Sequence, residues 1–151
     1  MRTDLFVYGT LLDAPTRRRV FGRDLVGVRA WLDGFARVRV AGEVYPGLVR
    51  MAGGRVAGLL LRDLDRTAMM RGDRFEGEEY RRAMLRVRLP AGGHAKAAVY
   101  LPTAELIITD IPWYWDAGWR RRHAVGYRRA VPVASARRGA ACRTCVGSIH
   151  V

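Results

Sequence analysis

Two cysteines, three histidines and a single lysine are all that this 151-residue chain holds of those residue types, and each shortage removes a class of chemistry. Cys142-Arg143-Thr144-Cys145 has redox or half-zinc spacing. A structural zinc needs about four ligands, and the only local addition is His150. The pair also sits in a Gly/Ala/Ser-rich end rather than between a strand and a helix, so reduced thiols in a loose end are expected. His94, His123 and His150 have no partners at metal-ligand spacing, which argues against a metallohydrolase and against Ser-His or Cys-His nucleophile systems. No GKS/GKT phosphate loop and no Gly-x-Ser-x-Gly elbow occurs. No metal is expected from this spacing, and an organic cofactor has no motif here to hold it. No apolar run approaches a membrane span, and no apolar segment with a small-residue cleavage site marks a secretory signal, so the expected setting is the cytoplasm, away from membranes.

What the chain has in excess is arginine. Lys96 is the one exception among 27 basic residues, and with 14 acidic residues the net charge is +13. Such a field attracts anions. Arg17-Arg18-Arg19, Arg120-Arg121-Arg122, Arg128-Arg129 and Arg137-Arg138 form clusters. Most other arginines alternate with apolar residues, as in Arg37-Val38-Arg39-Val40 and Leu85-Arg86-Val87-Arg88-Leu89, and read as outward faces of half-buried strands. No groove-reading module accompanies the charge, so nucleic acid is not the expected partner.

Strand signals dominate. Leu5 to Tyr8 reads as a central, buried strand. Asp24 to Trp31 and Phe35 to Ala41 read as strands joined at Leu32-Asp33-Gly34, since Asp-Gly is a hairpin signal. Glu43 to Gly47 reads as a turn, Leu48 to Met51 as a short strand, and Gly53-Gly54 as a turn into a strand over Val56 to Arg62. Tyr80 to Leu89 and Lys96 to Leu101 form a further pair. Helix signals are fewer: a basic turn over Pro15 to Phe21, a helix over Asp63 to Glu76, and one starting near Pro112 that carries Trp115, Trp119 and Tyr127 near one face. Many short strands with a few helices predict an α+β domain built on a curled sheet or a barrel. The domain is expected over residues 1–134, with a C-terminal tail over 135–151 that contributes little to any site.

Chemistry is then left to acids. Several gather in Asp73-Arg74-Phe75-Glu76-Gly77-Glu78-Glu79. Glu78 and Glu79 precede a strand and read as solvated. Glu76 lies between Phe75 and Gly77 at a helix end, where burial would raise its pKa toward neutrality, as a general acid/base needs. A solvated helix-end glutamate is the other reading of the same spacing.

Five short segments in order carry a resemblance: Phe6-Val7-Tyr8-Gly9-Thr10-Leu11, Tyr45-Pro46-Gly47-Leu48-Val49, Val56-Ala57-Gly58, Asp73 to Arg82, and Ala98-Val99-Tyr100. Together they resemble the gamma-glutamylcyclotransferase-like (AIG2-like) family over roughly residues 5 to 120. Gly72 stands where that family usually has leucine, and Gly47 where it has alanine. The resemblance implies a small mixed β-barrel flanked by a few helices, with its pocket at the mouth, and Tyr8, Gly9, Thr10 and Leu11 as the loop cradling a γ-glutamyl group. It implies Glu76 as the catalytic acid/base, with Tyr80, Arg82 and Tyr100 binding substrate. The implied reaction is intramolecular attack of the substrate's α-amine on its own side-chain carbonyl, releasing 5-oxoproline and an amine or amino acid, a lyase-type acyl transfer. The implied partner is a small γ-glutamyl molecule, and the chain is expected as a monomer or weak dimer. A non-catalytic small-molecule or anion-binding protein on the same barrel is the competing expectation.

Overall fold

The computed structural model describes residues 1–124, so Tyr127, the two later arginine pairs, both cysteines and the 135–151 tail lie outside the described residues. The chain runs β1 (Thr3–Val7), a 3-10 turn (Thr10–Leu12), α1 (Ala14–Phe21), β2 (Gly27–Val40), β3 (Pro46–Leu64), α2 (Arg66–Glu76), β4 (Tyr80–Arg88), β5 (His94–Pro102), β6 (Ile108–Pro112) and α3 (Ala117–Trp119). The strands neighbour one another in the order β3-β1-β5-β4-β2, and β2 pairs again with β3, so five strands close into a barrel. β1 is antiparallel to β3 but parallel to β5, which makes the barrel mixed. β6 adds to the far end of β2. This is the α+β barrel that the resemblance implies, and it decides between the curled sheet and the barrel that the strand pattern left open.

β1 explains its own lack of polar alternation, because both of its faces are buried. Phe6 packs with Leu32, Leu60, Val87 and Val99 in one apolar cluster. Leu5 and Val7 pack with Val20, Phe21, Met69 and Phe75 of the two helices in the other. Gly58 lets β3 cross this strand. A Cβ there would collide with the Val7 carbonyl oxygen and come within 2.6 Å of the Phe6 ring. Gly58→Ala should therefore overpack the barrel and lower stability by about 1–3 kcal/mol, visible as a reduced urea midpoint with an unchanged m-value.

The helices are capped as their sequences dictate. Asp13 accepts a hydrogen bond from the Thr16 amide at 3.1 Å and starts α1, and Gly22 closes it at φ 74°. Asp65 accepts one from the Ala68 amide at 2.8 Å and starts α2. Asp63 and Leu64 remain in or beside the strand, so α2 begins three residues later than the pattern predicts.

A predicted hairpin, a predicted turn and a predicted helix start are absent. Asp33-Gly34 does not reverse the chain: β2 continues through it as one 14-residue strand, and the four residues 51–54 bulge opposite Gly34 in β3. Gly34 and Gly53 both have positive φ, so the glycines that signal turns here supply a paired irregularity in one long bent ribbon. The reversal lies at residues 41–45 instead. Nor does Pro112 open a helix. It ends β6, which is paired only to β2 at these residues and so tolerates a missing N–H. The following helix starts at Asp116, whose side chain accepts from the Trp119 amide at 2.7 Å.

No helix among the described residues is long and apolar enough to cross a membrane. No group of three or more His, Cys, Asp or Glu side chains among them is placed to hold a metal ion.

Candidate active site

β1 ends at Val7, and the chain bends over the barrel mouth through Tyr8, Gly9, Thr10 and Leu11 before entering α1. Gly9 is held against the second motif. A Cβ on it would meet Pro46 Cγ at 2.9 Å, so only glycine lets the loop and the Tyr45-Pro46 turn close on each other. Opposite the loop, α2 ends at Glu76. Gly77 adopts φ 73°, which a residue with a Cβ resists, and returns the chain directly toward β4 at Tyr80. A pocket of about 300 Å3, counting its open mouth, lies between these elements. Its walls are Phe6 to Leu11, Pro46, Glu76, Tyr80 and Tyr100.

Glu76 is only 8 % exposed. Among the described residues its carboxyl group has no hydrogen-bond or ion-pair partner. Burial, and secondarily the nearby charge of Asp73, pushes its pKa up from about 4.5 to about 8. At neutral pH the pocket wall therefore presents a carboxyl group able to give or take a proton. The surrounding tyrosines are differently committed. Tyr8 donates its hydroxyl hydrogen bond to the Tyr100 carbonyl. Tyr80 donates to the Pro46 carbonyl at 2.7 Å, and Tyr100 donates to Asp73 Oδ1 at 2.8 Å. Burial raises all three well above the usual phenol range. They stay neutral and serve as fixed walls, so Glu76 is the acid of the lining whose pKa lies near neutrality.

The structure thus gathers Tyr8, Gly9, Thr10, Leu11, Glu76, Tyr80 and Tyr100 around one cavity. Arg82 stands apart from the lining. Its guanidinium grips Asp73 side-on, Nε to Oδ1 and Nη2 to Oδ2, both at 2.9 Å. The same Asp73 carboxylate receives Tyr100, so Arg82 and Asp73 brace a pocket wall from behind. Gly72 leaves room for this bracing, because a Cβ there would lie 2.7 Å from the Tyr100 hydroxyl. Glu79 is half-buried rather than solvated and accepts a hydrogen bond from Tyr45 at 3.2 Å, whereas Glu78 is exposed as expected.

Two arginines near the loop also depart from the surface roles their patterns suggest. Arg17, the first of a triple, is only 8 % exposed. Its Nη1 donates to the carbonyls of Leu11 at 3.0 Å and Leu12 at 2.8 Å. Arg37 does not face outward from β2; its Nη1 donates to the Tyr8 carbonyl at 2.8 Å. Both bind the loop's carbonyls from outside the pocket. Nothing in Arg-Arg-Arg or Arg-Val-Arg-Val distinguishes them from solvated arginines, since their partners are backbone atoms.

The closed barrel thus has a buried carboxyl group at its mouth, without a hydrogen-bond or ion-pair partner among the described residues. The chain belongs to the family described as gamma-glutamyl cyclotransferase, AIG2-like, whose model matches residues 5–121. It is 29% identical over 121 residues to AIG2-like protein B of Arabidopsis thaliana, covering 80% of this chain and 70% of that protein. Matches to AIG2-like proteins C and A of the same plant span about half of those proteins' length. An Arabidopsis thaliana protein solved in solution superposes with a TM-score of 0.65 at 25% identity, covering 85% of this chain and 79% of that one. A solved gamma-glutamyl cyclotransferase shares the fold at 14% identity, with a TM-score of 0.62 and 93% of both chains covered.

Proposed function

We propose that the protein is a cyclotransferase that cleaves a γ-glutamyl amide, with Glu76 as general acid/base and no cofactor. The observation that carries this is the carboxyl group of Glu76, buried without a partner at the cavity edge and held near neutrality. Membership of the gamma-glutamyl cyclotransferase, AIG2-like family supports the reaction type.

The substrate's α-amine attacks the δ-carbonyl carbon of the same molecule and closes a five-membered ring. Negative charge gathers on the carbonyl oxygen, and positive charge on the attacking nitrogen. The bond to the leaving nitrogen then breaks. Glu76 supplies a proton to that nitrogen and takes the one shed by the ring nitrogen, so the carboxyl group ends as it began. The products are 5-oxoproline and a free amine or amino acid, and no water is consumed. Because both reacting groups belong to one molecule, the pocket's main task is to fold an extended chain into the attack conformer. Tyr8, Tyr80 and Tyr100 offer a rigid, largely apolar mould for the methylene arm. Backbone N–H groups of Gly9 to Leu11 are suited to the carboxylate or the developing oxyanion, being donors without full charge.

The test is a screen of γ-glutamyl peptides, amines and isopeptides for 5-oxoproline release. At least one class should turn over, and its N-acetylated analogue should be inert because its nitrogen cannot attack. Tight binding of γ-glutamyl compounds without any release would instead identify a non-catalytic binding protein.

A further inference from the structure

We infer that Arg37 is a positioning residue that aims the Gly9 amide of the pocket loop, an inference that rests on the cyclotransferase reading for its kinetic consequence. Arg37 lies outside the pocket lining, yet it joins three parts of the fold. Its Nη1 donates to the Tyr8 carbonyl at 2.8 Å and to the Ala57 carbonyl at 3.3 Å, and its Nε donates to the Trp113 carbonyl at 3.2 Å. Its own backbone carbonyl accepts the Trp113 amide at 3.1 Å. The guanidinium also lies 5.2 Å from the Trp113 ring centre, within cation–π range.

Trp113 is in turn fixed. Its indole N–H and that of Trp119 both donate to the Val44 carbonyl, at 2.9 and 2.8 Å. Val44 precedes the Tyr45-Pro46 turn that closes on Gly9. Arg37 is therefore anchored on one side by a tryptophan cluster and holds the loop on the other.

The consequence follows from peptide geometry. The Tyr8 carbonyl and the Gly9 N–H belong to one planar trans peptide and point in opposite directions. Fixing the carbonyl on Arg37 fixes the N–H on the opposite side, toward the cavity that Tyr8 and Gly9 line. A cationic donor on the carbonyl also polarises the peptide and strengthens its N–H as a donor. Arg37 thus acts through Gly9 on the charge that develops on the substrate carbonyl, without touching substrate.

The experiment compares Arg37→Met and Arg37→Lys with the wild-type chain by steady-state kinetics across pH and by exchange of the Gly9 amide hydrogen. In Arg37→Met, kcat should fall roughly tenfold to a hundredfold, part of what loss of an oxyanion donor costs. KM should change by less than about threefold, and the acid limb of the pH profile should stay where the wild type has it. The Gly9 amide should exchange faster. Arg37→Lys should recover part of kcat, because an ammonium keeps the charge but not the fork that grips three carbonyls at once. Wild-type kcat in Arg37→Met would overturn the inference, as would unchanged Gly9 exchange in either variant. Should Arg37→Met fail to fold in thermal melting, the Lys variant decides on the same readouts. A wild-type chain that turns over no γ-glutamyl compound would defeat the cyclotransferase reading alone, and Gly9 exchange would still decide the role of Arg37.

Discussion

Glu76→Gln should lower turnover of the γ-glutamyl substrate by roughly a hundredfold to ten-thousandfold, the span for a lost general acid/base. Glutamine matches glutamate in shape, so the pocket walls and much of the substrate affinity should survive. It cannot exchange a proton between the attacking and leaving nitrogens. Glu78→Gln and Glu79→Gln should do far less, for different reasons. Glu78 is exposed, and Glu79 accepts a hydrogen bond from Tyr45 that a glutamine carbonyl can also accept. The measurement is 5-oxoproline release by the three variants beside their melting curves. A large loss at position 78 or 79 with near-normal turnover at 76 would shift the acid/base to another carboxylate.

The same substitution should stabilise the protein at alkaline pH. Glu76 is protonated in the fold up to about pH 8 but would ionise near 4.5 in the unfolded chain. Below pH 4.5 both states carry the proton, and stability does not depend on this group. Between 4.5 and 8 the folded state binds the extra proton, so stability falls as pH rises, and the loss is complete above 8. A full shift of that size corresponds to a ceiling of about 5 kcal/mol; water entry into the open pocket should reduce the realised effect to a few kcal/mol. Glutamine carries no such dependence. Urea unfolding at pH 5 and pH 9 should show Glu76→Gln close to the wild type at the lower pH and clearly more stable at the higher. Equal stabilities at both would mean that Glu76 is solvated. The residue proposed to run the reaction is thus one whose burial costs the fold stability as pH rises.

The loop was legible from local sequence, whereas Glu76 was singled out by the five-segment resemblance, its own spacing leaving a solvated helix end open. A strand that is apolar on both faces and stops at Gly9 must turn at the sheet edge, and Glu76 between Phe75 and Gly77 marks a helix end with a glycine conformation after it. The double-sided burial of β1 was legible for the same reason. The Asp33-Gly34 signal misled because glycine with positive φ serves a bulge as readily as a hairpin, and only the facing residues 51–54 decide which. Pro112 was read by its fitness for a helix start, whereas its missing N–H suits the end of an edge strand equally well. Arg17 and Arg37 were illegible in principle: an arginine that binds backbone carbonyls imposes no residue type on its partners. Arg82 lies within the right motif, yet its guanidinium pairs with Asp73, which also accepts the Tyr100 hydroxyl, and a motif does not show which of two nearby groups an arginine will meet.

Product analysis in 18O-labelled water tests the central claim most directly. With a substrate found by the screen, cyclisation predicts one 5-oxoproline for each amine released, no 18O in either product and no free glutamate, with the rate collapsing in Glu76→Gln. Glutamate carrying 18O in its side-chain carboxylate would mean that water, rather than the substrate's own amine, attacks the carbonyl, and would contradict the account.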